Sequence, residues 1–286
     1  MKFLILKITN NCNLRCIYCY RENNSSKKDM EFKTAKNAID YILKSDDRLK
    51  IQFTGGEPLL NFKLIEKVVD YCNDQYPDKN ISYAIQTNGT LLKEGTIERI
   101  KELDIKVGVS LDTIDPRDAT LRPYKNGKPS TLDTLKGIYL LRKKNVPFGI
   151  TTVVTSKNLP HLLDLVYYLI SIGVRSISFD LLKPKKREHL SLMPMEGEFR
   201  KILEEMKDLP IYIKNLRRNS QDKYCYLNSG DLLFVNEIGD IYPCPTLEGC
   251  FYGGNINSGE GIKLFKVKCN YCFARSYLMK VVNDPS

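Results

Sequence analysis

Two regular alternations of apolar and polar residues run along this chain. Six short runs rich in β-branched and aromatic residues predict strands. The predicted strands are Lys2–Thr9, Leu49–Thr54, Ile81–Thr87, Lys106–Leu111, Pro147–Thr155 and Ser176–Leu182. Between and after them, apolar residues recur every three or four positions, which predicts amphipathic helices. The predicted helices are Phe32–Leu43, Phe62–Cys72, Leu92–Leu103, Leu132–Lys143, Leu159–Ile172 and Met195–Lys207.

This order of strands and helices is typical of βα units around a parallel sheet. Six strands predict a partial (β/α)6 barrel of the TIM type, an α/β fold that places its chemistry at the carboxyl ends of its strands. Asn61 and Asn158 stand where an N-cap would bind free N–H groups of the following helix. We place the end of the barrel at residue 209, because the composition of the chain changes beyond it: five of the nine cysteines lie after position 224. Residues 1–209 and 210–286 are therefore predicted to form two domains.

Three cysteines follow the first predicted strand at C-x3-C-x2-C spacing, namely Cys12, Cys16 and Cys19. Cysteine thiolates hold iron–sulfur clusters, and a four-iron cluster needs four ligands. Three local thiolates would therefore leave one iron open to a substrate or cofactor. A zinc site or a set of buried thiols is the alternative interpretation of the same residues.

With Tyr18 just before the last cysteine, this spacing resembles the signature of the radical S-adenosylmethionine (SAM) enzymes. The resemblance implies a [4Fe-4S] cluster whose open iron is chelated by the methionine moiety of SAM. It implies that one electron from the cluster cleaves SAM to a 5′-deoxyadenosyl radical, which removes a hydrogen atom from a substrate. An aromatic residue in the place of Tyr18 packs near the adenine.

Further candidates lie at the ends of the later strands. Gly55 and Gly56 let a ligand approach the backbone closely, and Thr-Gly-Gly-Glu resembles the family's GGE motif, which contacts the SAM amino group. Ser110 and Asp112 face the same way by strand alternation, with Ser110 the better SAM contact and Asp112 nearer the substrate. The residues that the resemblance assigns to SAM binding are Tyr18, Thr54, Gly55, Gly56, Glu57, Thr87, Asn88, Ser110, Asp112, Val153, Phe179 and Leu181. An ordinary Asn-Gly turn at Asn88, and plain core positions on strands five and six, remain the alternatives.

The loop after the fourth strand supplies the candidate catalytic residue, Arg122. This loop resembles that of peptide-modifying relatives, in which an arginine in the same place reaches towards the active site. A guanidinium held there could clamp a carboxylate with two hydrogen bonds. A solvated surface arginine is the alternative.

The last part of the chain has its own cysteine pattern. Cys225, Cys244, Cys269 and Cys272 resemble the ligands of the auxiliary-cluster module called Twitch, which is related to the longer SPASM module. The resemblance implies a small α+β domain with a second [4Fe-4S] cluster, and a structural zinc site is the alternative. The stretch 235–244 predicts a β-hairpin that turns at Gly239 and brings Cys225 near Cys244.

Two other cysteines receive different interpretations. Cys250 is a spare that could replace one ligand, face the substrate or have no role. Cys72 shares a helical apolar face with Ile65 and Val68, so we expect a buried, inert thiol.

The composition of the chain limits the classes of partner that we expect it to bind. Lys and Arg number 44 against 34 Asp and Glu, a formal charge of +10, but the excess is spread along the chain. Without an aromatic–basic repeat, a solvated basic surface is favoured over a nucleic-acid platform. The apolar runs are far shorter than the ~18 residues of a membrane-spanning helix. We therefore expect a cytoplasmic protein, where thiols stay reduced and clustered cysteines bind metals.

The resemblance implies a peptide or protein substrate, modified by a thioether or carbon–carbon crosslink or by oxidation. The implied partners are that peptide, with a leader segment or a separate recognition protein, and a reductant such as flavodoxin or ferredoxin. A radical SAM dehydrogenase of a small molecule or cofactor precursor is the second hypothesis. A non-catalytic iron–sulfur or zinc protein is the third.

Overall fold

The computed structural model describes residues 1–21, 28–214, 225–259 and 261–284. One nine-stranded sheet runs through them in the order β7-β6-β5-β4-β3-β2-β1-β8-β9. Its strands are β1 Lys2–Thr9, β2 Arg48–Gly55, β3 Asn80–Thr87, β4 Ile105–Ser110, β5 Phe148–Val154, β6 Ser176–Leu181, β7 Tyr212–Ile213, β8 Leu232–Val235 and β9 Ile241–Tyr242. All neighbouring pairs are parallel except β8 and β9.

Helices connect the parallel strands. They are α1 Phe32–Leu43, α2 Phe62–Gln75, α3 Glu94–Glu102, α4 Thr131–Lys143, α5 Leu162–Ser171, α6 Glu196–Glu205, α7 Tyr226–Ser229 and α8 Phe273–Asn283. The apolar faces of α1 to α6 form the main core with one face of the sheet, to which β1 contributes Leu4, Leu6 and Ile8, while α7 and α8 pack in smaller clusters. The alternate residues of β1 point to the opposite, inner face, where Ile5 packs with Phe234 of β8. The inner face carries the polar side chains that matter for function.

The predicted fold class is confirmed, with six strands and six helices close to their predicted bounds. The largest shifts are three residues, at the end of α2, which continues to Gln75, and at the start of α5, where a 3₁₀ helix, Leu159–His161, delays the start to Leu162. The predicted hairpin is also confirmed, since β8 and β9 pair around a turn in which Gly239 has a φ of +95°. Among the described residues, no helix is long and apolar enough to span a bilayer.

The two predicted N-caps are wrong. The Asn61 side chain donates from Nδ2 to the carbonyl of Ile8 at 3.0 Å instead of accepting from its own helix. The Asn158 side chain accepts from the N–H of Thr155 at 2.8 Å. In both cases the side chain binds neighbouring backbone at the carboxyl ends of strands, because a 3₁₀ turn adjoins the asparagine.

The C-terminal part of the chain continues the barrel sheet. Strand β8 lies parallel to β1, with Phe3 opposite Leu232 and Leu6 opposite Val235. Strand β1 therefore has β2 on one side and β8 on the other, and it leads directly into the loop that carries the first three cysteines. The division of the chain at residue 209 stays a prediction.

Candidate active site

A cavity of about 310 Å³ opens at the carboxyl ends of the parallel strands, and we call it the inner cavity. Twelve of the predicted site residues line it: Cys12, Cys16, Tyr18, Cys19, Thr54, Gly55, Gly56, Thr87, Asn88, Ser110, Arg122 and Val153. They come from the ends of four strands, β2 to β5, and from two loops that are far apart in the chain. The parallel register brings them together because all of these strands end at one edge of the sheet.

The thiol loop, residues 10–20, is held by the loop that carries Arg122. The N–H of Arg15 donates to the carbonyl of Pro123 at 2.8 Å, and the N–H of Ile17 donates to that of Leu121 at 3.0 Å. Within the thiol loop, the N–H of Leu14 donates to the Cys12 sulfur at 3.4 Å. Backbone hydrogen bonds to the loop that carries Arg122, and an internal hydrogen bond to the Cys12 sulfur, therefore fix the thiol loop.

Two arginines lie beside these thiols. Burial raises the pKa of the Cys16 thiol to about 12, while the positive charge of Arg122 acts in the opposite direction. Arg21 lies beside Cys12 and Cys19 and hydrogen-bonds the latter. Positive charge next to a thiol favours the thiolate, which is the form that binds metals. The thiol loop thus supplies three sulfurs, and Arg21 and Arg122 place two cations beside them.

This donor set fits an iron–sulfur cluster. Among the described residues, no three His, Cys, Asp or Glu side chains converge closely enough to hold one metal ion. A four-iron cluster makes a different demand, because each thiolate binds its own iron. Cys12, Cys16 and Cys19 share one cavity wall, so they would hold such a cluster by three irons.

The paired glycines are required by close backbone packing. A Cβ on Gly55 would lie 2.4 Å from the carbonyl oxygen of Thr9, and one on Gly56 would lie 1.9 Å from that of Asn11. The N–H of Gly56 donates to Thr9 at 2.8 Å, and the N–H of Glu57 donates to Asn11 at 2.7 Å. The two glycines therefore bring the end of β2 against the start of the thiol loop, next to the inner cavity.

Glu57 does not line the inner cavity but is fully buried behind it. Its carboxylate accepts hydrogen bonds from the Thr87 hydroxyl at 2.6 Å, the Asn88 N–H at 2.7 Å and the Leu59 N–H at 3.1 Å. Burial raises the pKa of this carboxyl, and the three donors oppose that rise. Asn88 in turn donates to the Asn13 side chain at 2.8 Å. Glu57 thus ties the ends of β2 and β3 to the thiol loop.

Arg122 and Tyr18 line the inner cavity and form a buried group with Asp112, which lies behind them. Arg122 Nη1 donates to the Tyr18 hydroxyl at 2.8 Å and lies 3.7 Å from Asp112 Oδ2. The Tyr18 hydroxyl donates to the same carboxylate, and the Val153 N–H donates to its other oxygen at 2.9 Å. Burial raises the pKa of Asp112, and the Arg122 guanidinium counteracts it. The Arg122 side chain is only 14% exposed, so its interpretation as a solvated surface arginine is wrong.

Strand alternation decides which residues of β5 and β6 reach the inner cavity. Val153 pairs with Asp180, and both line the cavity. Phe179 points to the opposite face and packs edge-on against Phe199 in the core, and Leu181 lines a different cavity near Cys272. Their positions do not support the predicted adenine contacts at Phe179 and Leu181. Asp112 likewise lies behind the wall and not on it.

The polar wall residues that sequence reasoning did not assign to the site include Arg21, Gln52, Gln86 and Asp180. Gln86 Nε2 donates to the Ser110 hydroxyl at 3.0 Å, which joins β3 to β4 on the inner face. Strand alternation places Ser110 and Asp112 on one face of β4. The same rule, applied to β6, would have identified Asp180 as a residue that faces the cavity. Arg21 carries no sequence signal, because its place beside the thiols depends on how the loop folds back.

The C-terminal thiols lie close together beside β6 and α8. The charge of Cys225 acts on the pKa of Cys272, and the charge of Cys272 acts on the pKa of Cys244, so Cys272 lies near both of these thiols. Burial raises the pKa of the Cys244 thiol to about 11. The Asn228 side chain donates to the Cys269 sulfur at 3.1 Å. This thiol group has the donor chemistry of an iron–sulfur cluster.

The spare cysteine and the inner cavity both adjoin this thiol group. Cys250 packs with Cys244 and Cys272 around Leu247, so it is a fifth thiol in the same region. Pro245, which follows Cys244, lines the inner cavity. Tyr20 is close both to Cys19 of the first thiol site and to Cys244 of the second.

Several proteins of known sequence resemble this chain over most of its length. "Uncharacterized protein MJ0907" of Methanocaldococcus jannaschii is 68% identical over 280 residues, which cover 98% of this chain and 97% of that protein. The radical SAM cyclopropyl synthase TigE of Paramaledivibacter caminithermalis is 27% identical, over 92% of this chain and 61% of that protein. A probable GTP 3′,8-cyclase of Methanococcus maripaludis is 30% identical over 68% of this chain and 65% of that protein. The chain thus spans about two thirds of the length of the latter two.

The fold is also found in solved structures. The structure of native anSMEcpe with bound AdoMet and the Cp18Cys peptide superposes with a TM-score of 0.76 at 21% identity, covering 99% of this chain and 83% of that one. A family model described as "Radical SAM superfamily" matches residues 6–169, more than half of the chain, including the three cysteines and the paired glycines. The chain therefore belongs to the radical SAM superfamily.

Proposed function

We propose that this protein is a radical SAM enzyme that modifies a peptide or protein substrate. One observation carries the proposal: Cys12, Cys16, Cys19 and the Gly55-Gly56 backbone line one cavity at the carboxyl edge of the sheet. The three thiolates would hold a [4Fe-4S] cluster, and SAM would lie beside the glycines. When bound, the reduced cluster and SAM supply a radical that removes a hydrogen atom from an unactivated carbon.

The residues of the chain bind, orient and shield these groups. Arg21 and Arg122 place positive charge beside the thiolates, which favours the metal-binding form of each sulfur. The Gln86–Ser110 pair offers an amide and a hydroxyl on the inner wall, and these groups suit the hydroxyls of a ribose. Glu57 acts at a distance, by holding Thr87 and Asn88 at the rim. The buried Arg122–Tyr18–Asp112 group keeps the guanidinium at a fixed point of the wall.

The peptide substrate is supported by the similarity to anSMEcpe, which is described with both AdoMet and a peptide. That similarity covers the C-terminal region of this chain as well as the barrel. A leader segment or a recognition protein would assist binding of the peptide. The second candidate, a small-molecule substrate, is favoured by the similarity to a probable GTP 3′,8-cyclase over 68% of the chain.

The C-terminal thiols would hold a second [4Fe-4S] cluster in a Twitch- or SPASM-like module over residues 210–286. Its proposed ligands are Cys225, Cys244, Cys269 and Cys272, with zinc as the alternative metal. The gathering of these thiols beside the inner cavity supports this proposal. A second cluster there could accept an electron from the substrate after hydrogen removal, which would make the reaction an oxidation. The enzyme would work in the reducing cytoplasm.

Anaerobic reconstitution tests the main proposal. The protein is loaded with iron and sulfide, reduced with dithionite and mixed with SAM, and 5′-deoxyadenosine is measured. We expect the wild type to release 5′-deoxyadenosine and Cys16→Ala to release none above background. A loaded, reduced wild type that leaves SAM intact would overturn the radical SAM function and support a non-catalytic metalloprotein.

A further inference from the structure

The thiol loop has a second face that opens to solvent. A groove of about 460 Å³ lies on the outside of the loop and is lined by Cys16, Ile17, Cys19, Pro123, Lys186 and Leu192, among others; we call it the outer groove. Cys16 and Cys19 also line the inner cavity. These two thiols thus form part of a thin wall between the proposed SAM site and the surface of the protein.

The outer groove has an apolar centre. Ile17 is 36% exposed, and Pro123 and Leu192 lie beside it. Beneath it, Tyr18, Leu121, Leu182 and Leu192 form a small buried cluster against which Cys16 packs. A packed, apolar cluster that contacts Cys16 therefore lies beneath the groove.

Basic residues surround this centre. Arg15 and Lys186 line the groove, and Lys186 is 40% exposed. Arg187 is exposed next to Lys186, and Lys125 is exposed next to Asn13, to whose carbonyl its N–H donates at 3.3 Å. The acidic residue of the lining, Glu188, lies 3.8 Å from Lys186, so the lining itself, with Arg15 and Lys186, has a net positive charge.

The segment that carries Lys186 and Arg187 is anchored. The N–H of Lys185 donates to the ring of the buried His189 at 3.2 Å, and the N–H of Ser156 donates to the carbonyl of Leu192 at 2.9 Å. The sequence shows only a short basic run here, Lys183-Pro184-Lys185-Lys186-Arg187, whose simplest interpretation is a solvated surface. The fold places Lys186 of that run in the lining of the outer groove, beside the thiol loop.

We infer that the outer groove, with the exposed Arg187 at its edge, is the docking surface for an acidic one-electron carrier protein of the flavodoxin or ferredoxin type. The inference rests on the proposed function, which requires one electron to reach the cluster on Cys12, Cys16 and Cys19. An apolar centre with a charged rim is the usual composition of a protein interface. Electron-transfer encounters are small and weak, and complementary charge determines mainly how fast the partners meet. The outer groove provides both features directly over two cluster ligands.

The test compares a protein donor with a chemical one. The double variant Lys186→Glu/Arg187→Glu reverses charge at the rim, and Lys63→Glu/Lys67→Glu makes the same charge change on the exposed face of α2. SAM cleavage is driven either by reduced acidic flavodoxin or by dithionite. We expect the rim variant to lose at least about tenfold in rate with flavodoxin at low salt, because steering by complementary charge is worth 10- to 1000-fold. With dithionite we expect less than a twofold change, and the α2 variant should resemble wild type with both donors.

Two further measurements separate docking from turnover. Oxidised flavodoxin, which cannot donate an electron, should bind the iron-loaded rim variant about tenfold more weakly than the wild type. Salt should slow the flavodoxin reaction of the wild type much more than that of the rim variant, because ions screen exposed charge. Equal flavodoxin rates and affinities for the rim variant and the wild type would overturn the inference. If dithionite itself gave no cleavage in the wild type, the proposed function would fail instead.

Discussion

The Tyr18 hydroxyl accepts a hydrogen bond from Arg122 Nη1 at 2.8 Å, across 104 residues of sequence. It joins the thiol loop to the loop that follows β4. The same hydroxyl donates to Asp112, so one phenol lies between a guanidinium and a carboxylate that are both buried. A resemblance to family sequences assigns an aromatic ring to this position. The structure adds that the hydroxyl helps to hold Arg122, which lines the inner cavity from the loop after β4.

Arg122 should be essential for the stability of this part of the molecule. Arg122→Ala would leave the Asp112 carboxylate buried without its cation, and breaking such a pair costs about 3–5 kcal/mol in the free energy of unfolding. Denaturant unfolding of the metal-free protein measures this loss directly. Arg117→Ala is the matched control, because the Arg117 side chain is 89% exposed in the same loop and pairs only with Asp115. We expect the control to change stability by less than about 0.5 kcal/mol. Equal effects of the two substitutions would contradict the buried group.

Gly56 should tolerate no side chain. A methyl group on Gly56 would meet the Asn11 carbonyl at 1.9 Å, so Gly56→Ala must push the thiol loop away from β2. Such overpacking costs about 1–3 kcal/mol. We also expect the variant to retain less iron at the first three cysteines after reconstitution. Gly95→Ala on α3 is the control, since its Cβ would meet no atom within 4 Å and alanine is the better helix former. Iron retention by Gly56→Ala equal to that of the control would show that the loop does not need this approach.

The C-terminal thiols should bind their own iron. Wild-type protein reconstituted anaerobically should contain about eight irons, for two four-iron clusters. Cys244→Ser should lower this to about four while 5′-deoxyadenosine is still released, because the first cluster is intact. Cys250→Ser tests the fifth thiol of the group, and we expect it to keep about eight irons. Four irons and one zinc in the wild type would show that the C-terminal thiols bind a structural zinc. Loss of iron in Cys250→Ser would show that Cys250 is a cluster ligand in place of one of the four proposed cysteines.

Asp40 should make the stability depend on acid pH. Its carboxylate accepts hydrogen bonds from Lys36 at 2.7 Å, Tyr71 at 2.6 Å and Tyr76 at 2.8 Å, between α1 and α2. Burial raises its pKa, but the three donors prevail and the pKa is lowered. A lowered pKa stabilises the fold above the ordinary pKa of aspartate, about 3.9, and this contribution is lost as the pH falls through the lowered value.

Denaturant unfolding between pH 3 and 6 measures this effect. Asp40→Asn should be less stable than the wild type at pH 6, and the difference should shrink towards pH 3. Asp70→Asn, on an exposed position of α2, is the control and should leave the profile unchanged. A constant difference between Asp40→Asn and the wild type across this range would mean that the carboxylate charge has no part in the effect.

The order of the strands and helices, and the positions of the candidate metal ligands, were predictable from the sequence. Alternating apolar runs are local signals, and each strand end could be read from them to within one or two residues. The three clustered cysteines and the adjacent glycines are likewise short-range patterns. Errors came where a local rule competed with tertiary bonding, as at Asn61, whose amide binds the Ile8 carbonyl of the neighbouring strand and not its own helix.

The sequence by itself thus determined the type of fold and the residues able to hold a cluster, because those depend on local periodicity and spacing. Only the tertiary structure decided which side chains face the inner cavity. Strand register directs Asp180 towards the inner cavity and Phe179 into the core, and it leaves Glu57 buried behind the cavity wall. The tertiary structure also placed Lys186 beside the outer face of the thiol loop. The reason is physical: neighbours across a parallel sheet are set by pairing between distant strands, and no single segment contains that information.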